Sequence, residues 1–404
     1  MRESPARVVV AFGTRPEASK MAPVVHALQA HSALAPWILT TGQHRDQLEA
    51  MMTLFGMRAD RALDVMTERQ TLPDLLARIV PAAAQVLARE RPAYCLVHGD
   101  TATTFAVALA AFYQGVPVGH VEAGLRSFDL AQPFPEEANR RLTDVLTDLD
   151  LAPTEGARRN LRAEGKPLHG IVVTGNTAVD AIRSVAREAR LPEYVAQRVR
   201  PGGTVAITLH RRENLALLPA LARAIAALAR ERPDHLFVWP VHPNPAVRDA
   251  VHPALGGMDN VILDEPWPYR SMAALLAASR LVVTDSGGLQ EEGASLGVPV
   301  AVVRNVTERP EGVEAGVLTL VGTDPERVGE RLSALLGEDD AELAAMRARP
   351  NPYGDGRAGE RIAEAVAWRL QRGPRPPDWD GTQGGAAEGG TQLRTPARDV
   401  PPSA

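Results

Sequence analysis

The sequence of 404 residues contains little cysteine and no long apolar run. Its only cysteine, Cys95, cannot form an internal disulfide, and one thiol cannot build a cysteine-rich metal site. The apolar stretch near the N-terminus, residues 8–12, is too short for the core of a signal peptide. No other stretch approaches the ~18 uninterrupted apolar residues of a membrane span. We therefore expect a soluble cytoplasmic protein with no transmembrane segment.

A large excess of charge of either sign is also lacking. The 44 basic and 49 acidic residues give a net charge of −5, so no global positive field would attract nucleic acid or an anionic membrane. We expect neither as a partner, and an anionic ligand would have to be bound by a local group of residues. The apolar fraction of 45% and the charged fraction of 23% are typical of globular proteins, and the length allows two or three domains.

Short apolar runs rich in β-branched residues alternate with longer helical patterns throughout the chain. This alternation predicts an α/β fold with parallel sheets covered by helices on both faces. The pattern restarts after residues 191–203, which are rich in proline and glycine and form the best candidate linker. We predict a doubly wound N-terminal domain at residues 1–185, a second one at residues 186–372, and a disordered tail rich in glycine and proline at residues 373–404.

Charged residues follow consecutive predicted strands of the first half. Arg15 and Lys20 come after the first strand, and Asp100 and Glu122 each come after a later one. Because ligands of open parallel sheets bind beyond the carboxyl ends of the strands, we expect these residues to meet at one edge. A solvated loop charge or a helix cap would explain any one of them alone, but their recurrence at successive strand ends favours a site.

Two further carboxylates, Glu136 and Glu137, begin a predicted helix. The helix dipole alone explains Glu137 equally well, whereas Glu136 is a candidate site residue because it could share a pocket with Asp100 and Glu122. Three carboxylates in one desolvated site would raise one another's pKa. One protonated and one ionised group could then serve as acid and base near neutral pH.

The second half contains a glycine pair that opens a predicted helix. Ser286, Gly287 and Gly288 follow a strand, and the free amides of the first helical turn suit a diphosphate. Glu292 could accept both hydroxyls of a ribose, although a surface position on the helix explains it equally well. His210 follows another predicted strand and adds an imidazole near the same edge.

Two other patterns carry little weight. Residues 354–359 match G-x-G-x-x-G, but no strand precedes them, so we expect no nicotinamide cofactor. Residues 98–100 could ligate a metal, but no motif such as H-E-x-x-H accompanies them, so we expect no metal and no cofactor at all.

Taken together, the motifs resemble those of the non-hydrolysing UDP-N-acetylglucosamine 2-epimerases over about residues 6–370. The resemblance implies a GT-B-like pair of Rossmann-like domains with the active site in the cleft between them, and usually a homodimer. It also implies interconversion of UDP-N-acetylglucosamine and UDP-N-acetylmannosamine for surface polysaccharide synthesis. The motifs that carry the resemblance are FGTRPE (12–17), VHGDT (97–101), GHVEAGLR (119–126), PEE (135–137), HRRE (210–213), TDSGGLQEE (284–292), TERPE (307–311) and NPYGDG (351–356).

The resemblance also implies which residues act. The hydrogen at C2 of the sugar has no neighbouring carbonyl to acidify it, so inversion without a nicotinamide requires the anomeric UDP to leave, through 2-acetamidoglucal. Carboxylates are needed around the sugar and cations around the leaving diphosphate. The implied catalytic residues are Asp100, Glu122, Glu136 and His210, and the implied UDP-binding residues are Arg15, Lys20, Met272, Ser286, Gly287, Gly288, Glu292 and Arg309.

Members of this family can carry a second, regulatory UDP-N-acetylglucosamine site. Gln43, Arg69, Arg211 and His242, together with Glu136, resemble its lining. The sequence departs from the family's pattern at Asp46, where a glutamine is usual, at Leu209, where glycine is preferred before the histidine, and at Met272, near where an aromatic ring tends to flank the uracil. The alternatives left open are a hydrolysing epimerase, an epimerase of a related UDP-diacetamido sugar, a retaining glycosyltransferase and a non-catalytic binder of UDP-sugars.

Overall fold

The computed structural model describes residues 4–42, 45–67, 70–200, 202–337 and 341–381. Within these ranges the chain forms two all-parallel sheets with helices around them, which confirms the predicted α/β class. The strands of the first sheet are β1 (Ala6–Phe12), β2 (Leu34–Thr40), β3 (Arg61–Ala62), β4 (Tyr94–His98), β5 (Val118–Val121), β6 (Leu149–Ala152) and β7 (Ile171–Val173). Those of the second are β8 (Thr204–Thr208), β9 (Leu236–Pro240), β10 (Val261–Asp264), β11 (Leu281–Thr284), β12 (Val300–Val302) and β13 (Leu318–Leu320).

Helices connect consecutive strands in both halves. Those of the first half are α1 (Arg15–Ala30), α2 (Arg45–Leu54), α3 (Leu72–Glu90), α4 (Ala102–Tyr113), α5 (Glu136–Leu146), α6 (Glu155–Ala163) and α7 (Thr177–Ala186). Those of the second half are α8 (Glu193–Ala196), α9 (Leu218–Glu231), α10 (Pro245–Leu255), α11 (Tyr269–Ala278), α12 (Gly287–Ser295), α13 (Pro310–Glu314), α14 (Pro325–Leu335), α15 (Ala341–Ala348) and α16 (Ala358–Arg369). Short 3-10 turns occupy Leu168–Gly170 and Arg212–Asn214. None of the helices described is both long and apolar enough to cross a membrane.

The strand order places the functional loops together. The first sheet runs β3-β2-β1-β4-β5-β6-β7 and the second runs β10-β9-β8-β11-β12-β13. The order reverses direction between β1 and β4, and again between β8 and β11, so the loops that leave these strands diverge and open a crevice at each point. The loops after β1 and β4 carry Arg15 and Asp100, and those after β8 and β11 carry His210 and Ser286.

The central strands are buried because helices cover both faces of each sheet. In β1 every side chain except that of Arg7 is buried, which is why the strand is a continuous apolar run rather than an alternating one. Helix α1 follows it and begins with a capping box, in which the Thr14 hydroxyl accepts the Glu17 N–H and the Glu17 carboxylate accepts the Thr14 N–H.

The last helix, α16, returns from the second half of the chain to the first sheet. Its Ile362 and Val366 share a core with Val25 and Leu28 of α1. A helix that we assigned by sequence to the C-terminal domain therefore packs on the N-terminal core, because its apolar face completes the covering of α1. The domain bounds at 185 and 372 themselves stay a prediction.

The segment that follows α16 also contacts the first sheet. The backbone N–H of Trp379 donates to the Val173 carbonyl of the edge strand β7 at 2.7 Å, and the Val173 N–H donates to Asp378 Oδ1 at 2.8 Å. Trp379 is only 6% exposed. The predicted disordered tail therefore does not begin at residue 373, since this stretch caps an open sheet edge. Residues 382–404 of the predicted tail lie outside the described residues.

Candidate active site

A buried carboxylate, Glu17, joins the loops that follow β1 and β4. One of its oxygens accepts the backbone N–H groups of Gly13 at 3.0 Å and Thr14 at 2.8 Å, and the other accepts the hydroxyls of Thr101 at 2.8 Å and Thr104 at 3.3 Å. Glu17 is 2% exposed. Four hydrogen bonds satisfy its charge in place of water, so Glu17 fixes the loops that carry Arg15 and Asp100 relative to each other.

Glu122 lies directly after β5 in a left-handed backbone conformation with a φ of 66°. A residue with a side chain adopts this conformation at a cost of roughly 1–3 kcal/mol, and such residues concentrate at functional sites. Lys20 Nζ lies 2.5 Å from Glu122 Oε2, and His98 Nε2 lies 3.7 Å from the same oxygen. Burial acts to raise the pKa of Glu122, but Lys20 and His98 together outweigh it and hold that pKa well below its ordinary value.

Lys20 connects this carboxylate to the second half of the chain. Its ammonium also lies 3.3 Å from Glu291 Oε2 on α12, and Glu291 Oε1 pairs with Arg309 Nε at 2.8 Å. Burial acts to lower the pKa of Lys20, but the two carboxylates raise it above its ordinary value. An alternating chain of charges therefore runs from Glu122 across the domain junction to Arg309.

Arg309 brings this chain of charges to the glycine turn. A Cβ added to Gly287 would lie 2.6 Å from Arg309 Nη1, so the guanidinium occupies the space that any other side chain at this position would need. The structure therefore brings together four residues that the sequence assigned to the two sides of a predicted cleft, namely Glu122, Lys20, Arg309 and Gly287.

Asp100 is held by the beginning of α5. Its carboxylate pairs with the guanidinium of Arg140, and its backbone carbonyl accepts Asn139 Nδ2 at 2.9 Å. Glu136 is the first residue of α5 and is partly exposed, one helical turn before these two residues. Glu137 is fully buried and accepts backbone N–H groups of residues 127 and 128, so it fixes a neighbouring loop.

The expectation that the three carboxylates raise one another's pKa is wrong for Glu122. Its nearest ionic partner is Lys20, and Asp100 has its own partner in Arg140. The sequence predicts Lys20 at the same edge but as a UDP-binding residue, and it does not identify Arg140 as the partner of Asp100. The site therefore keeps Glu122 ionised at neutral pH.

The glycine turn at the start of α12 presents unused backbone donors. Ser286 is the N-cap, but its side chain makes no capping hydrogen bond, and its backbone N–H donates to Thr284 Oγ1 at 3.0 Å. The N–H groups of residues 287–289 have no acceptor within the helix. A Cβ at Gly288 would meet nothing within 4 Å, so this side of the turn is open. A helix N-terminus of this kind can receive an anion, and the assignment of the glycine pair to a diphosphate stays a prediction.

His210 follows β8 of the second sheet, and Asp285 fixes its loop. The fully buried Asp285 accepts the backbone N–H groups of His210 at 3.0 Å and Arg211 at 2.9 Å, and Asn214 Nδ2 at 3.1 Å. The imidazole stacks on that of His242, with ring centroids 5.0 Å apart. Burial and the positive surroundings of Arg211 and His242 lower the pKa of His210, against the opposing attraction of Asp285.

Glu292 has an unusual environment next to Tyr269. Burial and the neighbouring charge of Glu291 raise its pKa to about 7, although the Tyr269 hydroxyl donates to Glu292 Oε1 at 3.1 Å. Arg15 is exposed and its charge acts on the same carboxylate. Met272, the residue predicted near the uracil, packs against the core of the second sheet. Tyr269 on the same helix is the aromatic residue that contacts Glu292.

The structure describes only part of the predicted regulatory site. Arg211 Nη1 lies 3.7 Å from Glu308 Oε1, and His242 is exposed and accepts the N–H of Asn244 at 3.1 Å through its Nδ1. Gln43 and Arg69 lie outside the described residues. Allosteric binding therefore stays a prediction.

Comparisons with known proteins identify relatives of this chain. The sequence model of the UDP-N-acetylglucosamine 2-epimerase family matches residues 26–367. A UDP-N-acetylglucosamine 2-epimerase of Bacillus subtilis is 43% identical over 373 residues, which cover 92% of this chain and 98% of the relative.

Two solved structures resemble the whole architecture. A crystal structure from Listeria monocytogenes, assigned to the same activity, has a TM-score of 0.87 and 40% identity and covers 93% of this chain and 99% of its own. The Neisseria meningitidis UDP-GlcNAc 2-epimerase, solved bound to UDP-GlcNAc, has a TM-score of 0.81 and 41% identity and covers 90% of this chain and 100% of its own.

Proposed function

The chain belongs to the UDP-N-acetylglucosamine 2-epimerase family, and we propose that it interconverts UDP-N-acetylglucosamine and UDP-N-acetylmannosamine by eliminating and re-adding UDP. One base removes the proton at C2, and the electron pair of the broken C2–H bond forms the C1–C2 double bond. The C1–O bond breaks at the same time, and its electrons leave with the UDP oxygen. Re-addition of UDP at C1 and protonation of C2 on the opposite face then give the epimer.

The base must be ionised before it can accept the C2 proton. Glu122 meets this requirement, because Lys20 and His98 together hold its pKa well below the ordinary value despite its burial. We assign it to proton removal or return at C2, with Asp100 and Glu136 as the other carboxylates around the sugar. Arg140 holds the Asp100 carboxylate in an ion pair.

The leaving diphosphate requires positive charge and hydrogen-bond donors. The open N-terminus of α12 at residues 286–288, the guanidinium of Arg309 and the exposed Arg15 supply them. His210 has a lowered pKa and can accept or donate a proton at the departing oxygen. We place the ribose at Glu292 and the uracil near Met272.

The single observation that carries this proposal is the chain of charges from Glu122 through Lys20 and Glu291 to Arg309. It connects an ionised carboxylate with the amides suited to a diphosphate, although they follow strands of different sheets. Elimination of UDP needs these two functions on opposite ends of the same C1–C2 unit. An oxidative route would instead need a nicotinamide site, whose fingerprint lacks its strand context in this sequence.

We also propose that the enzyme works in the cytoplasm as a homodimer and supplies surface polysaccharide synthesis. A second UDP-N-acetylglucosamine molecule would bind beside the first, at Arg211 and His242 together with Gln43, Arg69 and Glu136. The stacking of His242 on His210 supports communication between the two ligand molecules. A ligand that contacts His242 would bind next to the ring that packs on His210, a predicted catalytic residue.

The test is to incubate the purified protein with UDP-N-acetylglucosamine in D2O without added NAD or metal. We expect NMR to show the manno epimer with deuterium at C2, and little of it with Asp100→Asn or Glu122→Gln. Glu342→Gln is the matched control, because this exposed glutamate on α15 pairs with another surface residue, Arg331. It should react like the wild type.

The outcomes separate the alternatives. Epimer formed without deuterium would contradict elimination, and free N-acetylmannosamine with accumulating UDP would indicate a hydrolysing enzyme instead. Tight UDP binding without turnover would indicate a non-catalytic binder. Turnover of a different UDP-sugar from a small panel, with UDP-N-acetylglucosamine unreactive, would contradict the proposed substrate.

A further inference from the structure

A buried histidine, His120, lies behind the active site with both ring nitrogens in hydrogen bonds. Its Nδ1 is 2.5 Å from Asp144 Oδ1 on α5, and its Nε2 is 2.7 Å from the backbone carbonyl of Gly99. The side chain is completely buried. No role in the proposed reaction uses this residue.

The two partners determine how many protons the ring carries. A neutral imidazole has one donor nitrogen and one acceptor nitrogen. The Gly99 carbonyl can only accept. Asp144 also accepts a hydrogen bond from Arg126 Nη2 at 2.5 Å through its other oxygen, so it is an ionised acceptor. Both ring nitrogens of His120 must therefore carry protons, and the ring is an imidazolium.

The surrounding charges agree with this count. Burial acts to lower the pKa of His120, but the attraction and hydrogen bond of Asp144 and the bond to Gly99 raise it above its ordinary value. Asp150 on β6 also faces the ring and adds negative charge. Arg126 and Lys166 supply the other positive charges of the cluster, at Asp144 and Asp150 respectively.

The same carboxylates could be considered as metal ligands. One ligand atom each from His120, Asp144 and Asp150 lie within 4.8 Å of one another. However, the ring has no free lone pair when both nitrogens donate, and Asp150 Oδ2 already lies 3.0 Å from Lys166 Nζ. The cluster is therefore a set of ion pairs rather than a metal centre.

Gly99 connects His120 to the active site, because it directly precedes Asp100. Gly99 has a left-handed backbone with a φ of 68°, and its N–H donates to the Val121 carbonyl of β5 at 2.9 Å. The adjacent residue of β5, His120, holds the Gly99 carbonyl from the other side. The peptide units on both sides of Gly99 are thus fixed to β5, and the direction in which Asp100 leaves the strand is fixed with them.

We propose that His120 is a positioning residue whose imidazolium holds the Gly99 carbonyl and thereby sets the orientation of the Asp100 carboxylate. This inference rests on the proposed function only in the claim that Asp100 acts on the substrate. A charged donor makes a stronger hydrogen bond than a neutral amide would, and the ring spans the distance between Asp144 and Gly99. Misplacement of a reacting group by about 1 Å can cost roughly a hundredfold in rate.

Two substitutions separate the two hydrogen bonds of the ring. In His120→Asn the amide nitrogen can take the position of Nδ1 and reach Asp144, but nothing reaches Gly99. In His120→Gln the amide nitrogen can take the position of Nε2 and reach Gly99, while the charge and the bond to Asp144 are lost. We expect the Asn variant to lower kcat about tenfold or more with little change in KM, and the Gln variant to recover much of that loss.

A merely structural role predicts a different result. Both variants would then lose stability and kcat in parallel, and the Gln variant would rescue nothing. A double-mutant cycle with Asp100→Asn adds a second criterion, because a residue that acts through Asp100 should have little further effect once that carboxylate is gone. Additive losses in the cycle would overturn the proposal.

One measurement does not depend on activity or on any variant's folding. In 15N-edited NMR of the wild type at about pH 7, where a free histidine is mostly neutral, both ring nitrogens of His120 should be protonated. An unprotonated nitrogen at this pH would overturn the imidazolium. A wild type inactive on UDP-N-acetylglucosamine with a protonated His120 would refute the proposed substrate but not the geometry around Gly99.

Discussion

Raising the pH from 6 to 8 should tighten the binding of UDP-N-acetylglucosamine through the ionisation of Glu292. This carboxyl has a pKa of about 7 in the unliganded protein, because burial and the adjacent Glu291 disfavour its charge. We place it at the ribose, where only the ionised form can accept hydrogen bonds from both hydroxyls. The protonated form would use one oxygen as a donor and lose one of these bonds.

The magnitude follows from the fraction of Glu292 that is ionised. With a pKa of about 7, about 9% of the carboxyl is ionised at pH 6 and about 91% at pH 8. If only the ionised form binds well, the apparent Kd should fall about tenfold over this range. The diphosphate of UDP-N-acetylglucosamine is esterified at both ends, so the ligand itself does not titrate between these pH values.

Isothermal titration calorimetry at pH 6, 7 and 8 measures this dependence directly. Glu292→Gln is the control, because its amide cannot titrate, and its Kd should be nearly constant with pH. A wild-type Kd that changes less than about twofold between pH 6 and 8, or an equally steep dependence in the Gln variant, would refute the reasoning.

The same carboxyl should affect the stability of the unliganded protein in the opposite direction. Its pKa is raised in the folded state, so its favourable contribution is fully present below the unfolded pKa of about 4.5 and is lost as the pH rises through about 7. Relative to Glu292→Gln, the unliganded wild type should therefore lose stability over this pH range while its ligand affinity increases.

Two further substitutions test the junction between the sheets. Gly287→Ala should weaken UDP binding at least about tenfold by displacing Arg309. Gly329→Ala is the control and should leave binding unchanged, because its added Cβ makes only an ordinary van der Waals contact. Equal effects of the two substitutions would contradict the steric argument. Glu291→Gln should lower the free energy of unfolding by about 1.5–3 kcal/mol, because it removes the carboxylate that Lys20 and Arg309 share while Glu122 and Glu308 remain as their other partners. In urea titrations the exposed Glu342→Gln should change it by less than about 1 kcal/mol, and a similarly small change for Glu291→Gln would contradict the role of the charge chain.

The sheets and the edge at which the ligand binds could be predicted from the sequence, because both depend on local patterns. Buried parallel strands are continuous apolar runs, and the residue after such a run lies at the carboxyl end of a strand. Asp100, Glu122 and His210 were found in this way, and each does follow its strand. The N-terminus of α12 was found because a glycine pair follows a strand directly. Such a pair is typical of a turn that opens a helix and lets a ligand approach the backbone closely.

The partners of these residues could not be predicted, because they depend on contacts between distant parts of the chain. Glu291 lies in a recognised motif, but its ion pair with Lys20 joins α12 to α1, which lie far apart in the sequence. Asp285 and Glu17 accept backbone N–H groups of loops whose course is not visible in the sequence. The one local signal was the spacing of Thr14 and Glu17, which is that of a capping box.

The pairing of acids with bases changes how the site must be understood. A group of carboxylates alone would be driven towards protonation. Here Lys20 lies between Glu122, which follows β5, and Glu291 on α12, and it forms an ion pair with each of them. The diphosphate of a bound nucleotide sugar would be attracted to the same cations, since Arg309 also pairs with Glu291 and lies at the glycine turn. In the proposed reaction each carboxylate depends on a cation that the ligand can also attract, so we expect proton transfer and departure of UDP to be electrostatically coupled. This coupling crosses the domain junction, so neither half of the chain contains the site by itself.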